Sequence, residues 1–350
     1  MKKLGILTYH EINNFGAQLQ AASLRKFCID CGYECDIINY QPPRSRARIA
    51  AHIIRPALKL KTKEYFRNLE ARNTFRKSAI ELGCINTKAL YTTSGVQKIS
   101  KNYDALICGS DEIWNFGNYL GHQPPFILDF PFDGKKISYA ASMGSYNLPT
   151  AEKSNFEAAL RQFSTILVRD NHTAEAVRGL SLHPKLVLDP TYLVELTEKI
   201  VDKENQLILS GEMTEDQLET AKKIAQALNL KIISPGYLYK GLENSYFSAT
   251  ALEWVQHINR SKYHITSLFH GSIFSIKSST PFVAFMNESK RNKLGFMLEQ
   301  LKMKERAVEV NNTQQEILSL LTKPFSAQQE TIVQDLAKES RNKLTAALAS

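Results

Sequence analysis

Strand-like apolar runs alternate with stretches of helical periodicity along the chain, and no other feature restricts its fold as much. The start reads LGILTY, then AQLQAASLRKFCID, then CDIINY, closed by Pro42 and Pro43. Such a β-α-β unit implies a parallel sheet, because strands joined through a helix run the same way. After a basic helical stretch come YDALICGS, FILDF, KISYAAS, TILVRD and KLVLDP, each bounded by Gly, Pro, Ser or Asp, with a helix expected near 152–163. A second alternation follows: QLILSG, a helix over 215–228, KIISP, a helix over 251–260, HITSL, a helix opening at His270, and PFVAF. The pattern predicts an α/β protein with two doubly wound Rossmann-like domains. The first spans 1–195 with a basic helical insertion over 44–90, and the second spans 196–325. Helices in 326–350 are expected to pack back on the N-terminal domain. A chain of 350 residues can fill two such cores. Ligands of open parallel sheets bind outside the carboxyl ends of the strands, so the active site is expected in the inter-domain cleft.

Composition narrows the setting. No apolar run approaches the ~20 residues of a membrane span. The opening MKKLGILTYHE passes at once into polar residues, which reads as a first strand rather than a secretory signal. A cytoplasmic protein is expected. Cysteines at 28, 31, 35, 84 and 108 match neither an even disulfide framework nor paired zinc knuckles, so they read as reduced residues of a helix and its following turn, and no metal is expected. The net charge of +9 is unevenly placed: residues 44–77 hold eleven basic side chains against Glu64 and Glu70. Ile49, Ile53, Ile54, Leu58 and Leu60 are interleaved with them. Solvated helices or contact with an anionic membrane surface both fit this segment, and nucleic acid is not expected as a partner.

The polar residues at strand ends carry the chemistry. In NNFGAQLQAASL, Asn13, Asn14 and Gly16 stand at a strand-to-helix turn, where helix donors meet an anion or a sugar hydroxyl; a capped helix start needs no ligand. CGSDEIWN closes the strand YDALI. Its Gly109, Ser110, Asp111 and Glu112 leave the sheet as small and acidic residues, and Trp114 follows as an apolar wall. Carboxylates that accept from hydroxyls beside a ring that covers a pyranose suit sugar binding. SYAASMG, with Ser142, lets a backbone approach a ligand closely or lets helices pack. Arg169 of LVRD is placed to meet a carboxylate or phosphate in bidentate fashion, or to pair locally with Asp170. Asp189 of LVLDPTYL faces a cleft or a hinge. In SLFHGSIF, residues 267–274, His270 opens a helix with Ser267, Gly271 and Ser272 beside it, which suits a proton donor to an anionic substrate or a satisfied core histidine.

Taken in order, NNFGAQLQAASL, YDALICGSDEIWN, KKISYAASMG, TILVRD, VLDPTYL and ITSLFHGSIFSI with TPFVAF resemble the polysaccharide pyruvyl transferase family over most of the chain. The resemblance implies a GT-B-like fold and pyruvyl transfer from phosphoenolpyruvate, a donor substrate used without a cofactor. The implied acceptor is a sugar diol of a capsule, exopolysaccharide or cell-wall precursor, lipid-linked through undecaprenyl diphosphate at the inner membrane face. On that reading His270 is the general acid and Asp111 or Glu112 the base. Arg169, Ser267, Gly271 and Ser272 hold the donor, and Asn14, Gly16, Gly109, Ser110, Trp114 and Ser142 hold the acceptor. The chain departs from the family in two places. Leu268 precedes the Phe269–His270 pair where many members carry arginine, and Glu112 stands where glutamine is common. The alternative is a nucleotide-sugar-dependent glycosyltransferase of the same architecture.

Overall fold

The computed structural model describes residues 1–286, 288–309 and 311–349, the side chains of 288–292 excepted. The chain divides into two units, one of Met1–Leu69, Ala79–Glu195 and Gln334–Ser350, the other of Glu70–Ser78 and Leu196–Val333.

In chain order the first unit contains β1 (Lys3–Leu7), α1 (Phe15–Asp30), β2 (Glu34–Ile37), α2 (Pro43–Leu58) and most of α3 (Thr62–Glu81). Then come α4 (Thr93–Ser100), β3 (Ala105–Cys108), β4 (Lys135–Ala141), α5 (Thr150–Leu160), β5 (Thr165–Val168), α6 (Asn171–Arg178) and β6 (Lys185–Leu186). Its sheet has the order β2-β1-β3-β4-β5-β6 with every pair parallel. Ile6 lies opposite Ile37 on one side and Ile107 on the other, and all three are fully buried. Helices cover both faces, so runs such as ALIC and TILV are apolar throughout instead of alternating. Leu106, Cys108, Trp114, Phe126 and Phe156 fill one side, and Leu4, Ile6, Leu24, Ile107 and Tyr139 the other. The run FILDF, expected as a strand, is not one. Pro124 and Pro125 open a 3₁₀ turn over Pro124–Ile127, and Leu128 follows with a left-handed φ of 52°. The helical turn and the left-handed Leu128 take the run out of extended backbone, and the prolines favour the turn by presetting φ at its start.

The second unit contains β7 (Glu204–Ser210), α7 (Glu215–Ala227), β8 (Lys231–Pro235), β9 (Ser245–Tyr246), α8 (Ala251–Arg260) and β10 (Ser261–Thr266). It continues with α9 (Phe269–Lys277), β11 (Phe282–Phe285), α10 (Glu288–Gln300), β12 (Ala307–Val308), α11 (Gln314–Thr322) and the start of α12 (Ala327–Ala349). The parallel sheet runs β12-β11-β10-β7-β8-β9. Helix starts here are written in the sequence. Thr214 with Gln217, Thr250 with Glu253 and Thr313 with Glu316 form reciprocal capping boxes that satisfy otherwise unpaired amides.

Both sheets reverse their winding once. In the first, β2 lies on one flank of β1 and β3 on the other; in the second, β8 and β10 flank β7 in the same way. Loops leaving the carboxyl ends of such a strand pair diverge to opposite faces and open a crevice. The strand ends at these points are Leu7 with Cys108, and Ser210 with Thr266.

Candidate active site

In the first unit CGSDEIWN leaves β3 at the winding reversal. Gly109 has φ +116°, and a Cβ there would sit 2.1 Å from the Tyr139 carbonyl oxygen, so no other residue fits. Asp111 takes a left-handed φ of 75°, which a short polar side chain tolerates. Its carbonyl accepts from the Ser142 amide at 3.0 Å and its Oδ1 from the Glu112 amide at 2.9 Å. The same Oδ1 lies 3.5 Å from Nη2 of Arg169, a buried residue just past β5. Arg169 Nη1 donates to Asp189 Oδ2 at 3.1 Å, and the Ser110 hydroxyl reaches that oxygen at 3.4 Å. One arginine thus ties together the residues that follow β3, β5 and β6. Burial works against its charge, but Asp111, Asp189, Asp170 and Glu112 outweigh that and raise its pKa. Glu112 is half-buried and accepts from Asn115 Nδ2 at 3.1 Å.

Opposite this turn, Thr8 just past β1 donates from Oγ1 to the Ser110 carbonyl at 3.0 Å. Gln20 of α1 donates to Thr8 Oγ1 at 2.8 Å and accepts from the Ser110 amide at 3.2 Å. His10, also buried, contacts the Thr8 carbonyl at 2.9 Å and Asn39 Oδ1 at 3.0 Å. Thr8, His10, Gln20 and Asn39 were not singled out by the sequence reading. The available signal was Gln18 and Gln20 inside an otherwise apolar helix start, both of them fully buried.

In the second unit the Ser267–Leu268 turn links β10 to α9. The Ser267 amide donates to the Ser210 carbonyl at 3.0 Å, while its hydroxyl is buried and has no hydrogen-bond partner among the described residues. That hydroxyl lies over Gly211, where a Cβ would come within 2.3 Å of it. His270, in the first turn of α9, is 8% exposed and packs edge-on against Phe269. Gly271 lets α9 approach β10, since a Cβ would stand 2.4 Å from Thr266 Oγ1. Beneath the helix lies a buried polar chain. Ser275 Oγ donates to the Gly271 carbonyl at 2.9 Å, so it accepts from His264 Nδ1 at 2.7 Å. His264 Nε2 then accepts from Ser210 Oγ at 2.7 Å, and Ser210 Oγ meets Thr266 Oγ1 at 3.0 Å. Burial holds the His264 pKa down at about 3, so the ring is neutral. Lys293 of α10 brings its Nζ within 5.8 Å of the Phe269 ring centroid.

The first unit therefore gathers Gly109, Ser110, Asp111, Glu112 and Arg169, and the second gathers Ser267, His270, Gly271 and Ser272. Five expectations change. Trp114 is not a sugar platform: it is fully buried, edge-on to Phe156, with its indole N–H donating to the Phe126 carbonyl at 3.3 Å. Arg169 faces two protein carboxylates, Asp189 at 3.1 Å and Asp111 at 3.5 Å, while the adjacent Asp170 caps α6 through Thr173. Asn14 is exposed and caps α1, accepting from the Ala17 amide at 3.3 Å, with Gly16 buried in the first turn. Ser142 is fully buried and accepts from the Gly144 amide at 2.9 Å. The Ser272 hydroxyl is spent within α9, donating to the Leu268 carbonyl at 3.2 Å.

A family model described as polysaccharide pyruvyl transferase matches residues 14–289. No curated protein matches the sequence. Among solved structures, the chain is similar to a Listeria monocytogenes protein described as a UDP-N-acetylglucosamine 2-epimerase. The identity is 11%, the TM-score 0.53, and the match covers 99% of this chain and 91% of that one. It is also similar to S. aureus TarM, a mutant in complex with fondaparinux, alpha-GlcNAc-glycerol and UDP, at 11% identity and TM-score 0.51, covering 98% and 96%. An O-GlcNAc transferase mutant from Thermobaculum terrenum is matched at 11% identity and TM-score 0.45 over 99% of this chain, which spans 66% of that protein's length. At these identities the likeness shows the fold alone, and the fold is the expected one: two Rossmann-like domains of the GT-B type.

Proposed function

The chain belongs to the polysaccharide pyruvyl transferase family, and from that premise we propose that it moves pyruvate from phosphoenolpyruvate onto two hydroxyls of a sugar in a surface-polysaccharide precursor. The observation that carries the assignment of roles is the Ser267 hydroxyl, buried and without a hydrogen-bond partner among the described residues, just before α9. A small anion seated there takes that hydroxyl, the amides of the first helical turn and the positive end of the helix dipole together. Phosphoenolpyruvate, with about three negative charges, suits such a place. It does not suit the first unit's turn, where Asp111, Asp170, Asp189 and Glu112 face a single arginine. Those carboxylates suit neutral sugar hydroxyls instead. Lys293 is our candidate for the cation that the chain lacks at Leu268.

In the proposed reaction His270, as imidazolium, protonates the methylene carbon of the donor and leaves the central carbon electron-poor. A sugar hydroxyl attacks that carbon and yields its proton to Asp111 or Glu112. Phosphate departs with the electrons of its bond to the central carbon. The neighbouring hydroxyl then attacks and closes the ketal. The carboxyl group passes its proton to the departing phosphate and the proton of the second hydroxyl restores His270, so the protons balance and both side chains are regenerated. Arg169 touches neither substrate; it fixes the Asp111 carboxylate.

Phosphoenolpyruvate should raise the melting temperature of the protein, while a nucleotide sugar should not. His270→Ala should abolish phosphate release in the presence of acceptor and keep the wild-type melting temperature. A shift by the nucleotide sugar alone would favour a glycosyltransferase, and turnover by His270→Ala would remove the proton donor. Acceptor identity is read by mass spectrometry of lipid-linked sugars after incubation with phosphoenolpyruvate.

A further inference from the structure

Helix α2 presents an unusual surface. Its buried residues are Ser45 and Pro56, and Ile49 and Ile53 beside them are half-buried. On the exposed arc Arg44, Arg48, His52, Arg55 and Lys59 recur at helical spacing and form a basic face. Ala47, Ala51, Ile54 and Leu58 recur the same way and form an apolar stripe next to it. Ile54 is 49% exposed, Leu58 78% and, in the turn to α3, Leu60 91%. Along that turn leucines and lysines alternate, Leu58, Lys59, Leu60, Lys61.

Between α2 and α3 lies a cavity of about 660 Å³ whose lining includes Arg48, His52, Arg55, Lys59 and Lys61, with Glu64 as its acid. Its walls make contacts within the protein. Asn68 Nδ2 donates to the His52 carbonyl at 3.1 Å, and the Arg48 guanidinium stacks 4.1 Å from the Tyr119 ring centroid. Among the described residues no helix is long and apolar enough to cross a membrane.

We propose that this hairpin is a docking surface for an anionic phospholipid bilayer, with a phosphate headgroup in the cavity and Leu58 and Leu60 entering the acyl boundary. Charge complementarity selects an anionic partner, since eleven of the protein's basic residues fall in 44–77 against two acidic ones. The exposed leucines select a bilayer over nucleic acid. A fully exposed aliphatic side chain gains nothing from a sugar-phosphate backbone, whereas burial among acyl chains removes it from water. Lysines beside them bury their stems and keep the ammonium groups at headgroup level. The inference goes beyond the proposed reaction and does not depend on it.

Co-sedimentation with vesicles tests it. The protein should bind vesicles of phosphatidylcholine mixed with phosphatidylglycerol, ignore phosphatidylcholine alone, and release as salt rises. Arg55→Gln with Lys59→Gln should weaken partitioning by roughly fivefold per charge. Leu58→Ser with Leu60→Ser should weaken it by about tenfold or more at any salt. All four positions are exposed, so the melting temperature should stay at its wild-type value. Binding equal to wild type in either double variant would overturn the proposal, as would absence of binding to phosphatidylglycerol vesicles. RNA binding that survives the leucine substitutions while vesicle binding is absent would also overturn it. Phosphate release with phosphoenolpyruvate and a soluble sugar, assayed on the same variants, should be unchanged. A wild type that binds vesicles but releases no phosphate would sink the reaction and leave the docking surface standing.

Discussion

Arg169 carries its charge in a buried place, with carboxylates on two sides. Asp189 at 3.1 Å and Asp111 at 3.5 Å both rely on it. Removing one member of a buried ion network leaves the others uncompensated, which costs about 3–5 kcal/mol. Arg169→Met should therefore lower the melting temperature in calorimetry, and Arg169→Lys should recover part of the loss by restoring charge without the planar fork. A methionine variant that melts with the wild type would show that the network is not structural. The sequence made Arg169 legible as an ion-handling residue at a strand end. It did not give the partner, because the adjacent Asp170 is spent on Thr173 at the start of α6, while Asp189 arrives from the neighbouring strand. Trp114 was misread for a related reason. Its position after an acidic turn suggested a binding wall, yet the turn folds back and buries the ring against Phe156.

Helix α9 is the element that presents His270, and its seat is the chain of hydrogen bonds from Gly271 through Ser275, His264 and Ser210 to Thr266. His264 is a neutral ring in the fold, with its pKa lowered to about 3 by burial, whereas an unfolded histidine titrates near 6.5. The unfolded chain therefore takes up the proton first. The His264 contribution to stability is complete above pH ~6.5 and is lost toward pH ~3, at up to about 1.4 kcal/mol per pH unit. Urea unfolding of His264→Asn should show a shallower fall of stability between pH 6 and pH 4.5 than the wild type, whatever its absolute stability. Parallel slopes would mean that the ring titrates normally in the fold. The helix itself was legible, opening one residue earlier than expected, at Phe269. Its polar seat was not, because HITSL reads as an apolar strand and nothing in the sequence shows that its histidine meets serines 54 residues before and 11 after.

Across the whole molecule, the basic insertion is not a detachable appendage. Glu70–Ser78 of α3 belongs to the second unit, where Glu70 accepts from the Ser248 hydroxyl at 3.0 Å and Ser78 Oγ accepts from the Ala251 amide at 3.0 Å. Phe75, 6% exposed, is part of the same segment. Excision of residues 44–77 should thus lower expression of soluble protein and abolish a cooperative melt, whereas the exposed charge and leucine substitutions should leave both intact. A deletion variant with a wild-type melting curve would show that the segment contributes nothing to the second unit. The sequence by itself determined the α/β class, the helix starts with their capping boxes and the polar character of the strand ends, because these follow from local periodicity and short-range hydrogen bonds. Only the tertiary structure decided the strand order, and with it that both polar turns leave the sheets at winding reversals. Strand order depends on pairing between segments far apart in the chain, and such pairing leaves no local signature. The same long-range pairing chose Asp189 for Arg169, Gln20 for Ser110 and His264 for Ser210.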